Sequence, residues 1–128
     1  MIKCLFRQPR FPLICDVHGV LIGAETPEQF EAQVAALELP AGELLPLVDA
    51  AGEGWVFHTD EMVVSPLTLK KRWTKKEIIS MYNRSETARR LGTEYSTRSL
   101  SSKRLDRIVA EVAALIASAH PPIDADQQ

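Results

Sequence analysis

The residues best spaced for metal chemistry are two His/Asp pairs, Asp16-Val-His18 and His58-Thr-Asp60. In an extended chain, residues two apart point to the same side, so each pair could offer an imidazole and a carboxylate to one ion. Exposed His and Asp after a strand are, however, ordinary surface residues. Asp16 and His18 also stand beside Gly19, where a tight turn accounts for both. No metal site and no cofactor is expected. The chain has no G-x-S-x-G elbow, no phosphate-binding G-x-x-x-x-G-K-[ST] loop and no G-x-G-x-x-G. The glycines of Ala51-Gly-Glu-Gly-Trp55 read as a hairpin turn with no helix behind them to hold a phosphate. Cys4 and Cys15 lie in apolar runs without C-x-x-C spacing and read as reduced, buried thiols. The acid pairs Asp60-Glu61 and Glu25/Glu28 lack the apolar surroundings that raise a carboxyl pKa for proton transfer. The expectation is a protein that is not an enzyme.

Charge carries the stronger signal. Residues 1–69 hold a net −7, residues 70–107 a net +8, and residues 108–128 a net −3, inside a total of −2. Such asymmetry suggests a charged partner. Lys70, Lys71, Arg72, Lys75 and Lys76 crowd around Trp73, a combination able to meet nucleic acid, phosphate or an acidic protein surface. Trp73 also precedes the capping box Thr74-Lys-Lys-Glu77, where it can staple onto Ile78.

Thr87-Ala-Arg-Arg-Leu-Gly92 resembles the A-x-x-L-G core of the helix-turn-helix family, in which Ala lets two helices approach and Gly opens the turn. The resemblance covers about 20 residues. The family pattern then wants an aliphatic residue six positions after the glycine, and here that position is Arg98, flanked by Thr97 and Ser99. The resemblance implies a DNA-binding regulator using residues 74–107, with Arg89, Arg90, Arg98, Lys103, Arg104 and Arg107 contacting mostly phosphates.

These residues need a scaffold. The chain has 128 residues, 45% of them hydrophobic, which suits one domain with one core and excludes a multidomain enzyme or a TIM barrel. Phe11–Gly23 and Leu45–Phe57 form an imperfect repeat: Pro-Leu-apolar strand, Asp, Gly-containing turn, second apolar strand. Two β-hairpins are expected, 11–23 and 44–58, with a further strand at 2–6 and an extension at 62–64. Thr26, Pro27 and Gln29 announce a helix over 27–38. A second helix follows Thr74 and either runs to Leu91 or breaks near Asn83-Arg-Ser85. A last helix is expected over 101–119, its apolar residues recurring from Leu105 to Ala119 at helical spacing. The expected fold class is α+β, in the order β-ββ-α-ββ-α-α: a small antiparallel sheet built from two repeated β-hairpins, with helices packed on one face. The domain is expected to span 1–120, with 121–128 a flexible tail.

Lys3, Arg7 and Arg10 interrupt the first residues before any secretory apolar region forms, and no apolar run approaches the length of a membrane span. A cytoplasmic location with no membrane partner is expected. The function expected from small size, missing catalytic motifs and polarised charge is that of a bacterial immunity or antitoxin-type protein, which inhibits a toxic enzyme through charged protein–protein contact. Its contact residues are sought in the acidic half (Glu25, Glu28, Glu31, Glu53, Asp60, Glu61) or the basic half (Lys70, Arg72, Lys75, Arg89, Arg90). Nucleic acid is the alternative partner.

Overall fold

A computed structural model describes residues 2–67 and 72–119; Lys70 and the segment 121–128 lie outside the described residues. The elements run β1 (Lys3–Cys4), β2 (Leu13–Val17), β3 (Val20–Ala24), α1 (Pro27–Ala36), β4 (Leu44–Val48), β5 (Gly54–His58), β6 (Val63–Pro66), α2 (Lys75–Asn83), α3 (Glu86–Leu91), α4 (Ser99–Ser102) and α5 (Leu105–Ser118). The fold class is α+β. The strands form a six-stranded sheet in the order β1-β6-β5-β4-β2-β3. All neighbours are antiparallel except β1, which runs parallel to β6, so the sheet is mixed and not purely antiparallel.

The arrangement as two repeated hairpins is also too simple. β2–β3 and β4–β5 are hairpins and meet through the Ile14/Val48 pair, but β6 and β1 extend the sheet beyond them. Their turns differ as well. His18-Gly19 makes a two-residue turn with φ of 52° and 92°, the type I′ geometry that suits strand twist, and Asp16 accepts the Gly19 N–H at 2.8 Å. Asp49–Glu53 is a longer loop organised by a buried carboxylate.

Helices cover both faces, which corrects the one-face expectation. Leu13, Cys15, Ile22, Leu47 and Phe57 face Phe30 and Val34 of α1. Ile14, Leu21 and Val48 face α2, α3 and α5. The physical reason lies in the strands: Leu13-Ile-Cys15 and Leu21-Ile22 are buried at consecutive positions. Consecutive residues point to opposite sides, so both faces must be covered. α5 provides most of the second layer. Its Ile108, Val109, Val112 and Ile116 are almost completely buried, and each contributes roughly 1.5–3 kcal/mol.

The sequence signals for helix ends form as hydrogen bonds. Thr26 accepts the Gln29 N–H at 3.1 Å, while the Gln29 side chain reaches the Glu25 N–H and not the cap residue itself. Thr74 and Glu77 complete both arms of their box at 3.1 and 2.8 Å, and Trp73 packs on the core that holds Ile78. Ser85 caps α3 by accepting the Ala88 N–H at 3.0 Å, which breaks the helix after Asn83. The last helix starts later than expected because Lys103 and Arg104 are extended, leaving the one-turn α4 separate from α5. Among the described residues, no helix is long and apolar enough to cross a membrane.

The outer edge of β3 is closed by side chains. Thr87 accepts the Leu21 N–H at 2.8 Å, and the Gln33 amide bonds both the N–H and the C=O of Gly23. These contacts occupy backbone groups that would otherwise offer a template to another strand.

One buried group is left over: the Tyr82 hydroxyl has no hydrogen-bond partner among the described residues. An orphaned buried hydroxyl costs about 1–3 kcal/mol. Tyr82→Phe keeps the ring and removes that cost, so urea unfolding should find the variant more stable than the wild type by about 1–3 kcal/mol. A loss of stability would mean that the hydroxyl has a bonding partner after all.

Candidate functional site

The His/Asp pairs do not converge. Asp16 is spent on its turn, and His18 Nε2 meets Glu43 at 3.1 Å. His58 meets Ser65 at 2.9 Å, and Asp60 accepts the Gly42 N–H at 2.7 Å. Among the described residues, no group of three or more potential ligands could hold a metal ion. Cys4 and Cys15 are free thiols, and burial raises the pKa of both, which suppresses the reactive thiolate.

Five cations of the basic half pair with three carboxylates. Arg89 and Arg90 reach Glu86 at 3.3 and 3.4 Å from the next helical turn. Arg104 reaches Asp106 at 3.6 Å. Lys103 and Arg107 converge on Glu111 at 2.6 and 3.0 Å, and Tyr95 donates its hydroxyl to the same carboxylate at 2.6 Å. Lys75 bonds the Leu100 carbonyl and Arg72 the Ala51 carbonyl. Arg98 is the exposed N-cap of α4. The chain after Gly92 enters no helix until Ser99, and that helix is one turn long. The residues resembling a helix-turn-helix core therefore form α3 and its αL cap, without a long recognition helix behind them.

The three donors around Glu111, Lys103 first, lower its pKa from the ordinary 4.5 to about 2. A depressed carboxyl stabilises the fold at pH above its unfolded value, and the contribution is lost as pH falls through the folded one. Wild-type stability should therefore decline from pH 4.5 toward pH 2. Glu111→Gln should be less stable than wild type at pH 7, with the gap closing across that window. Urea unfolding at a series of pH values checks this, and 1 M salt should narrow the gap, since the carboxylate is partly exposed. A gap independent of pH would refute the assignment.

The acidic half behaves differently. Glu53 forms a fork with Arg7. Glu25, Glu28, Glu31, Asp60 and Glu61, however, form no ion pair among the described residues. They are not scattered. α1 carries Glu28 and, one turn on, Glu31; the β5–β6 turn carries Asp60 and Glu61 and delivers Met62. Glu31 and Met62 line one cavity of about 310 Å³ together with Ile2, Val34, Leu37 and Leu39. A smaller hollow of about 70 Å³ continues toward Phe11 and shares Ile2 and Glu31. Ile2, Leu37, Leu39 and Met62 are half-buried against the α1-side core. The result is an apolar groove beside α1 with the Glu31 carboxylate in its wall.

Sequence reasoning named the acids but missed the groove. Its residues come from positions 2, 31–39 and 62, and only the topology joins them. The local ion pairing in the basic half did have a sequence signal, the i,i+3 and i,i+4 spacing of Glu86 to Arg89 and Arg90, and of Arg107 to Glu111.

The fold and the groove define an α+β protein with a mixed sheet between helical layers and an acidic, apolar cleft along α1. Comparison of the chain with protein-family models, curated proteins and solved structures finds no match.

Proposed function

We propose that this is a non-enzymatic binding protein of the bacterial cytoplasm, an immunity or antitoxin-type inhibitor that blocks a toxic enzyme by laying its acidic α1 side on a basic surface of that enzyme. The observation supporting this reading is the unequal pairing of the two halves. Most described cations of the basic half already have carboxylate or carbonyl partners, whereas Glu25, Glu28, Glu31, Asp60 and Glu61 have no cationic partner among the described residues. An uncompensated acidic surface steers a basic partner and specifies it by charge. Choosing this surface moves the contact away from Arg72, Lys75, Arg89 and Arg90.

The test is affinity capture from the source cell with the full chain and with the triple variant Glu25→Lys, Glu28→Lys, Glu61→Lys. The wild type should recover one enzyme at equal stoichiometry and inhibit it. The variant should bind that enzyme at least roughly tenfold more weakly, with the loss mainly in association rate. Equal capture by both proteins would overturn the reading. So would a gel shift with DNA that weakens steeply with salt, which would instead favour a regulator using residues 74–107.

A further inference from the structure

We propose that the cavity bounded by Ile2, α1 and Met62 receives a long cationic side chain of the partner, its methylene stem against Leu37, Leu39 and Met62 and its charged head at Glu31. This deepens the acidic-surface reading and rests on it. Glu31 stands in the wall shared by both hollows. Its Oε2 accepts the Ile2 N–H at 2.9 Å, and its Oε1 accepts nothing among the described residues. No described Lys, Arg or His forms an ion pair with it.

The chemistry selects the occupant. A purely apolar side chain would fill the cavity but strip water from a carboxylate left with one amide donor, which is costly. An acidic side chain would meet like charge. Lysine and arginine bury an apolar stem while keeping the charge at the end, which matches an apolar hollow with one carboxylate at its rim. The volume of about 310 Å³ lies at the lower end of small-ligand pockets. Glu28, one turn before Glu31 on α1, and Asp60-Glu61, which precede Met62 in the chain, add negative charge that raises the local cation concentration.

The experiment is an amide-resolved NMR titration of the full chain with N-acetylarginine amide, and in parallel with N-acetylnorleucine amide, which has a stem but no charge. The arginine ligand should shift Ile2, Glu31, Val34, Leu37, Leu39 and Met62 with a Kd of roughly 1–10 mM, and the norleucine ligand should bind at least about threefold more weakly. Glu31→Gln retains an acceptor for the Ile2 N–H and should erase the preference between the two ligands. Ala35→Trp, at an exposed lining position, should fill the cavity and abolish both. Shifts spread evenly over Glu25, Glu28, Asp60 and Glu61, or an arginine preference that survives Glu31→Gln, would overturn the cavity as a cation site and leave the acidic-surface reading standing. Binding confined to the cavity, combined with unchanged enzyme capture by the charge-reversed triple variant, would support the site and remove the broader reading.

Discussion

Gly23→Val should leave no folded protein at 25 °C, and Gly23→Ala should cost about 3 kcal/mol or more. Gly23 lies in β3, where α5 crosses closest to the sheet. A Cβ built there would stand 2.6 Å from the Ala113 carbonyl oxygen, 2.9 Å from the Ile116 Cβ and 3.0 Å from the Ala113 Cα. Two of these atoms are backbone of a helix whose other side is packed against α2, so relief requires moving α5 as a body. Gly23 also takes both amide bonds from Gln33, which pins the strand from the other layer. In an ordinary strand, replacing glycine stabilises by roughly 0.5–1 kcal/mol through reduced chain entropy; here the overlap reverses the sign. Gly92 is the control. It has φ of 66° with nothing within 4 Å of a built Cβ, so Gly92→Ala meets only the left-handed penalty of about 1–2 kcal/mol. Urea unfolding of the three variants separates the two uses of glycine. If Gly23→Ala unfolds at the same denaturant concentration as wild type, α5 does not sit where the packing requires.

That contrast also explains which features the sequence made legible. Caps and periodicity are local. Thr26, Thr74 with Glu77, the four buried residues Ile78, Ile79, Met81 and Tyr82, and the stripe from Leu105 to Ile116 depend on neighbours within a few positions, and each was readable. The consecutive apolar residues Leu13-Ile-Cys15 already implied cover on both faces, but a hairpin reading assigns them to one. The position of β1 was not readable. Two residues pair parallel with a strand sixty positions later, and no turn signal connects them. The groove depends on that pairing, because β1 brings Ile2 beside Glu31. Charge sums along the chain also mislead where pairing is local. The excess over residues 70–107 includes Arg89, Arg90, Lys103 and Arg107, which close onto Glu86 and Glu111.

The path from β1 to β2 leads to the second large effect, Asp49→Ala, expected to cost about 4 kcal/mol. The chain leaves β1 at one edge of the sheet and must pass β6, β5 and β4 before entering β2. Asp49 fastens that crossing. Its Oδ2 accepts the Arg10 N–H and the Trp55 Nε1–H, both at 3.1 Å, and its Oδ1 accepts the Ala51 and Glu53 N–H groups, both at 2.9 Å. The residue is 2% exposed, so water cannot readily replace those bonds. The Ala50 N–H bonds the Arg10 carbonyl at 2.9 Å, and Arg7 lies 4.8 Å over the Trp55 ring while forking onto Glu53. Alanine would leave four donors without the carboxylate, one of them a buried indole. Asparagine is the sharper probe. It keeps the shape but turns one oxygen into an NH₂ group that faces two donors, so Asp49→Asn should cost about 2 kcal/mol. Urea unfolding gives the magnitudes, and the Trp55 indole N–H resonance reports whether its bond is lost. Asp49→Asn with wild-type stability and an unmoved indole resonance would mean that the crossing is held by the apolar contacts of Phe11 and Trp55 alone.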